Sequence, residues 1–203
     1  MKPEERIRIA LPAPASRIPL TTHCRGTLIA SSLRSLRDRG LHERYVAKLD
    51  PRHRDTILLA IASSWLEMTA SVAHYEACDQ LGLTPDEQME IGMNVSHSVS
   101  ETFLRTVLRL VGSAGATPWL GLEQFGRIHE RLFLGGAATI IEVGPKDARV
   151  EVHGLPLSHI PYFRNGFRGV IRAGCELFCR RAYVTAIPKL CTATTLGFRA
   201  MWA

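Results

Sequence analysis

The stretch ATIIEVGPKDARVEVHG, residues 138–154, decides the fold, because the spacing of apolar residues changes there. Upstream, apolar residues recur every three or four positions, as on one face of a helix. Within the stretch, Val150 and Val152 alternate with Arg149, Glu151 and His153, which is the period of a strand with one face on a core. The runs ATIIEV and ARVEVHG flank GPKD and predict a hairpin. Downstream, IPYFRNGFRGVIRAG (160–174) returns to a helical period, with Phe163, Phe167 and Val170 or Ile171 on one face and Gly174 as the stop. LFCRRAYVTAI (177–187) and CTATTLGFRAMW (191–202) are again β-type, with PKL between them. The order β-β-α-β-β predicts a four-stranded antiparallel sheet crossed by one helix.

The upstream half predicts helices. RGTLIASSLRSLRDRG (25–40) places Leu28, Ile29, Leu33 and Leu36 on one face, with Gly40 as the stop. LHERYVAKL (41–49) is a short amphipathic helix, and Asp50-Pro51 caps and starts the next. SSWLEMTASVAHYEACDQLGL (63–83) predicts a longer helix, with Ser64 and Glu67 as a capping box. In TPDEQMEIGMNVSHSVSETFLRTVLRLVG (84–112), Thr84, Pro85 and Glu87 form the strongest start signal in the chain, and the helix extends to about residue 111. TPWLGLEQFGRIHERLFLGG (117–136) predicts one more helix, closed by Gly135-Gly136. The fold class is therefore α+β. An extended arm covers residues 1–22, and a single domain covers 23–203, helical over 23–136 and sheet over 137–203.

Composition narrows the function. A chain of 203 residues with 46% apolar content can bury a sizeable core. No stretch approaches the ~20 apolar residues of a bilayer span, and the first 20 residues lack a signal-peptide core. Five irregularly spaced cysteines suit a reduced, cytoplasmic protein. Residues 1–54 hold 12 Lys and Arg against 5 Asp and Glu, whereas the remainder holds 13 against 14. That basic quarter is a candidate docking surface for an acidic partner or nucleic acid. Its arginines are spread over helices without interleaved aromatics, which argues against nucleic acid and for a solvated face near acidic neighbours.

Motifs for catalysis are missing. HExxH, paired CxxC, GxSxG, a P-loop and GxGxxG do not occur. His74 and Cys78 share a helix face, but a metal needs further ligands from elsewhere. Cys175 and Cys179 read as a helix–strand junction residue and a packed strand residue, with Arg180 and Arg181 beside them. The stretch 152–169, VHGLPLSHIPYFRNGFRG, is the most site-like, because arginines and aromatics gather at a helix N-terminus. The sequence predicts an apolar pocket between the helices and the sheet, lined by Trp119, His129, Phe133, Tyr162, Phe163 and Phe167, with Arg164 at the helix start. An apolar or flat small molecule is the expected ligand, in a non-enzymatic module that forms a homodimer.

The segments LTPDEQMEIGMNVSHSV, TPWLGLEQFGRIHERLFLGG, GPKDARVEVHGLPL and PYFRNGFRGVIRAG carry a resemblance. Their order is similar to the superfamily of 4-vinyl reductase-like domains, haem–nitric-oxide-binding domains and transport-particle core subunits. More closely, the chain resembles an uncharacterised paralogous family of myxobacteria. The resemblance implies a small cytoplasmic bacterial ligand-binding or sensory module, with haem or another tetrapyrrole as an alternative ligand on His129 or His97. Haem–nitric-oxide-binding domains also carry Tyr-x-Ser-x-Arg on the first strand. Here that strand reads ATIIEVGP, so the haem-carboxylate clamp is missing.

Overall fold

In the computed structural model, which describes residues 5–96 and 117–203, the chain opens on a short strand, β1 (Arg6–Ile9). A second, β2 (His23–Arg25), leads directly into α1 (Gly26–Asp38), which buries Leu28, Ile29, Leu33 and Leu36 as the spacing predicts. Gly40 ends that turn at φ 67°, a conformation glycine adopts without a Cβ penalty. Next come α2 (His42–Val46) and α3 (Arg54–Leu58), with one 3₁₀ turn between them. Asp50 caps this turn by accepting from the Arg52 amide at 2.9 Å. Strand β3 (Trp65–Glu67) then runs into α4 (Met68–Asp79).

Helix α5 occupies 85–96, up to the edge of the described residues. Its capping box forms as read: the Thr84 amide donates to Glu87 at 2.8 Å, and the Glu87 amide donates to Thr84 Oγ1 at 3.3 Å. The predicted extension to about residue 111, and His97 with it, lie outside the described residues.

The next segment is divided more finely than its spacing predicts. Helix α6 (Pro118–Glu123) and helix α7 (Phe125–Leu132) meet at Gln124, and Phe133–Leu134 form strand β4. Gly135 and Gly136 follow at φ 91° and 66°. The hairpin is β5 (Ala137–Gly144) and β6 (Asp147–His153). Helix α8 (Pro161–Glu176), β7 (Ala182–Ala186) and β8 (Thr195–Trp202) complete the order.

The four expected strands pair antiparallel and gain a fifth from the N-terminus, in the order β1-β5-β6-β8-β7. Val150 stands between Ile140 and Phe198 in register, and all three are fully buried. Helix α8 covers this face, where Phe167 stacks 5.9 Å from Phe198. Burying each such aromatic contributes roughly 1.5–3 kcal/mol. The stretch before β2 is tied down as well, since the Thr21 amide donates to Gly154 O and the Gly136 amide to Pro19 O.

Two boundaries correct the sequence reading. The expected Ser64–Glu67 capping box does not form, because residues 65–67 pair with β2 in a small sheet ordered β3-β2-β4. Buried Cys24 faces Leu66, and the Arg25 guanidinium sits 4.4 Å over the Trp65 ring. Ser64 Oγ donates to Ile61 O instead. Gly174 also does not stop α8, which runs on through Cys175 to Glu176. Cys179 therefore sits in the turn before β7, with its thiol 3.2 Å from Cys175 O, rather than on a strand face.

Three arginines of the basic N-terminal quarter pair with acidic side chains. Arg8 pairs with Glu123 and Glu142, Arg39 with Glu90, and Arg52 with Asp50.

Candidate functional site

Helices α5 and α8 cross with their backbones almost touching. A Cβ on Gly92 would collide with the Gly166 carbonyl, and one on Gly169 with the Met89 carbonyl. Only glycine allows this approach. Next to the crossing, the larger side chains of the same helices leave a cavity of about 60 Å³. Leu28 and Ser32 of α1, Tyr75 of α4, Ile91 and Val95 of α5, and Leu132 and Phe133 line it from one side. Tyr162, Phe163, Phe167 and Val170 of α8 line it from the other. The expectation was a pocket between the helices and the sheet. Here α8 lies between cavity and sheet, because its Phe167 reaches both.

The wall is apolar except for hydroxyls. Tyr75 meets Phe163 edge-on at 4.9 Å, and Phe163 lies 5.5 Å from Phe167. Behind the wall runs a buried polar chain. The Tyr45 hydroxyl lies 2.7 Å from His74 Nδ1, and Ser32 Oγ lies 3.0 Å from His74 Nε2. A buried phenol O–H left without an acceptor is costly, so Tyr45 donates to Nδ1. His74 Nε2–H then donates to Ser32. Burial pushes the His74 pKa down to about 3, which keeps the ring neutral as this arrangement requires. The Tyr162 hydroxyl, 2% exposed, lies beside Ser32 and Cys78 without hydrogen-bonding geometry to either.

Four of the expected site residues reach the cavity: Phe133, Tyr162, Phe163 and Phe167. Three do not. Trp119 packs edge-on to Trp202 at 4.9 Å and donates to Pro145 O, near the far end of the sheet. Arg164 is half-buried on α8, off the cavity wall. His129 is buried and lies 5.1 Å from Phe133, but it faces the other way, toward Gly136 and Thr21. Its Nε2 and Thr21 Oγ1 have no hydrogen-bond partner, and burial lowers its pKa to about 4. The reading missed Ser32, Tyr75, Leu28, Ile91 and Val95, whose only sequence signal is position on the inner faces of three helices.

Four of the five thiols are made poor nucleophiles by burial. Burial pushes Cys24 up to about 11 and Cys175 up to about 12, and raises Cys78 and Cys179 too. His74 Nε2 and Cys78 Sγ stand 3.7 Å apart, yet among the described residues no third His, Cys, Asp or Glu joins them.

No protein-family model and no curated protein matches this chain. Solved structures do. An unliganded Fe(II) H-NOX protein mutant from K. algicida superposes with a TM-score of 0.67 at 8% identity, over 88% of this chain and 96% of that one. A Cs H-NOX mutant gives 0.62 at 14% identity, over 88% and 96%. An oxygen-binding H-NOX domain related to soluble guanylate cyclases, in its oxygen complex, gives 0.58 at 14%, over 88% and 94%. H-NOX domains are haem–nitric-oxide-binding domains. At these identities the likeness establishes the fold, and the chain has the α+β architecture of H-NOX domains over most of its length.

Proposed function

We propose that the chain is a non-enzymatic sensory or regulatory module that binds a small, largely apolar molecule in the cavity between α1, α4, α5 and α8. One observation carries the reading: among the described residues the space is walled almost wholly by apolar side chains of four helices. Such a pocket offers burial and orientation, and among the described residues no nucleophile–base pair lines it. The H-NOX-like fold supports a sensory role by analogy. We place the module in the cytoplasm of a bacterium, as a homodimer within the uncharacterised myxobacterial family its segments resemble.

Haem is the second reading, favoured by the fold likeness alone. The described residues do not fit it. Their cavity wall carries no histidine, cysteine, lysine or arginine, so neither an iron ligand nor a carboxylate clamp faces the space. Buried His129 has a free nitrogen, but it points away from the cavity. The strand β5 and its turn, ATIIEVGP, contain no Tyr-x-Ser-x-Arg run.

The test is a native mass spectrum of the protein purified from its own cells. The expected spectrum shows a low-mass organic adduct and no haem mass. A stoichiometric haem or metal adduct would overturn the reading.

A further inference from the structure

Residues 18–22 lie as a strap across the open end of the β5–β6 hairpin, seated among three glycines. A Cβ on Gly154 would collide with Pro19 O, one on Gly135 with Leu20 O, and one on Gly136 with Thr21 Oγ1. Only glycine lets the strap lie this close. Backbone bonds hold it down: the Gly136 amide donates to Pro19 O at 3.0 Å, the Thr21 amide to Gly154 O at 2.7 Å, and the Thr22 amide to Leu134 O at 2.8 Å.

The seat is buried, polar and unsatisfied. Thr21 is 2% exposed, and its Oγ1 has no hydrogen-bond partner. His129 of α7 is 4% exposed, its Cε1 packs near the same Gly136, and its Nε2 has no partner either. Covering these two groups costs free energy each time the strap docks. The charged and titratable groups around His129 are engaged or exposed elsewhere. His23 of β2 meets Thr22 Oγ1, Arg25 sits over Trp65, and His153 of β6 pairs with Glu151. Glu142 of β5 and Glu123 of α6 both hold Arg8. Arg17 before the strap, and Arg127, Glu130 and Arg131 on α7 itself, are exposed. Burial is accordingly the one cause that lowers the His129 pKa.

We infer that residues 18–22 are a proton-released strap, which docks over neutral His129 and lifts when that ring takes a proton. An imidazolium under the docked strap has no counter-charge and an unpaired Nε2–H, whereas lifting the strap lets water reach it. With the strap down the His129 pKa is about 4, and in water it is about 6.5. The lifted form therefore binds the proton more tightly, and release grows as pH falls from about 6.5 to about 4, by up to about 300-fold. The strap opens between two fixed ends. Before it, β1 stays paired with β5, and Arg8 is held by Glu142 and Glu123; after it, β2 stays paired with β3. The strap does not depend on the ligand proposed for the cavity.

The experiment is amide hydrogen exchange of the full-length protein between pH 6.5 and 4, read by NMR and divided by each amide's intrinsic rate. Wild type, His129→Leu and Thr21→Val are compared, with and without urea below the unfolding transition. In the wild type the Thr21, Thr22 and Gly136 amides are expected to exchange faster than those of β6, with little urea dependence, because a local opening exposes little surface. Their protection falls toward pH 4 by up to about 300-fold. In His129→Leu that fall is gone. In Thr21→Val, which removes the unpaired hydroxyl, protection rises at every pH and the fall remains. The inference is overturned if the strap amides exchange only together with those of β6 and with the same urea dependence, or if the fall persists in His129→Leu. Should His129→Leu not fold, the other two proteins decide: strap protection that is independent of pH in the wild type, or not raised by Thr21→Val, overturns it.

Discussion

Gly92 of α5 rests against the Gly166 carbonyl of α8 so closely that a Cβ on Gly92 has no room. This one contact sets the helix separation, and with it the small size of the cavity beside it. Gly92→Ala or Gly169→Ala must therefore push the helices apart. Overpacking of this kind costs about 1–3 kcal/mol. Gly174 lies on the same helix with nothing within 4 Å of its Cβ position. Gly174→Ala is expected to be neutral or to stabilise by up to about 1 kcal/mol, through helix propensity. Urea unfolding of the three variants checks this. Equal effects at Gly92 and Gly174 would contradict the close crossing.

The buried polar chain predicts a contrast between two tyrosines. Tyr45→Phe leaves His74 Nδ1 buried without its donor and should cost about 1–3 kcal/mol. Tyr162→Phe removes a hydroxyl that has no partner and should be neutral or stabilising in the empty protein. Thermal unfolding of both variants at one pH measures the difference, and the reverse order would sink the assignment.

Acid should weaken the fold through histidines. His129 and His74 have folded pKa values lowered by burial to about 4 and about 3, against about 6.5 in an unfolded chain. The unfolded state then binds more protons, so stability is full above about pH 6.5 and falls as pH drops toward about 4. The slope is roughly 1.4 kcal/mol per pH unit for each histidine. His129→Leu should roughly halve the slope between pH 6.5 and 4 and leave the His74 part, which runs on toward about pH 3. An unchanged profile would mean that His129 is not buried as described.

How much of this was legible follows contact distance along the chain. The hairpin was legible because Val150 and Val152 declare their face in two-residue steps, and the Thr84–Glu87 box because its partners are three residues apart. The small sheet was not, since three residues such as Trp65–Glu67 hold no period and pair with a segment about forty residues away. The α5–α8 crossing was not, because Gly92 and Gly166 acquire their meaning only together. Tyr162, Phe163 and Phe167 stand out in the sequence as aromatics near a helix start, whereas Ser32 has no such mark. That Trp119 and His129 lie off this cavity was not legible, because aromatic or titratable character does not say which side of a helix faces the space.

The thiols give an independent check. Cys24, Cys78 and Cys175 are buried, and Cys179 and Cys191 are half-buried. A disulfide reagent should label Cys179 and Cys191 in the folded protein and all five only after unfolding. Cys179→Ala loses a thiol contact to Cys175 O and should cost about 1 kcal/mol, with metal content unchanged. Fast labelling of Cys24 or Cys78 in the native state would contradict their burial.

The central claim is that this H-NOX-like fold holds its ligand without haem. The direct measurement is the visible spectrum of the full-length protein expressed with added haem precursor and then titrated with hemin. The account predicts no Soret band after purification and a hemin spectrum that stays that of free hemin. A sharp Soret band at one haem per chain, lost on His129→Ala or His97→Ala, would contradict it.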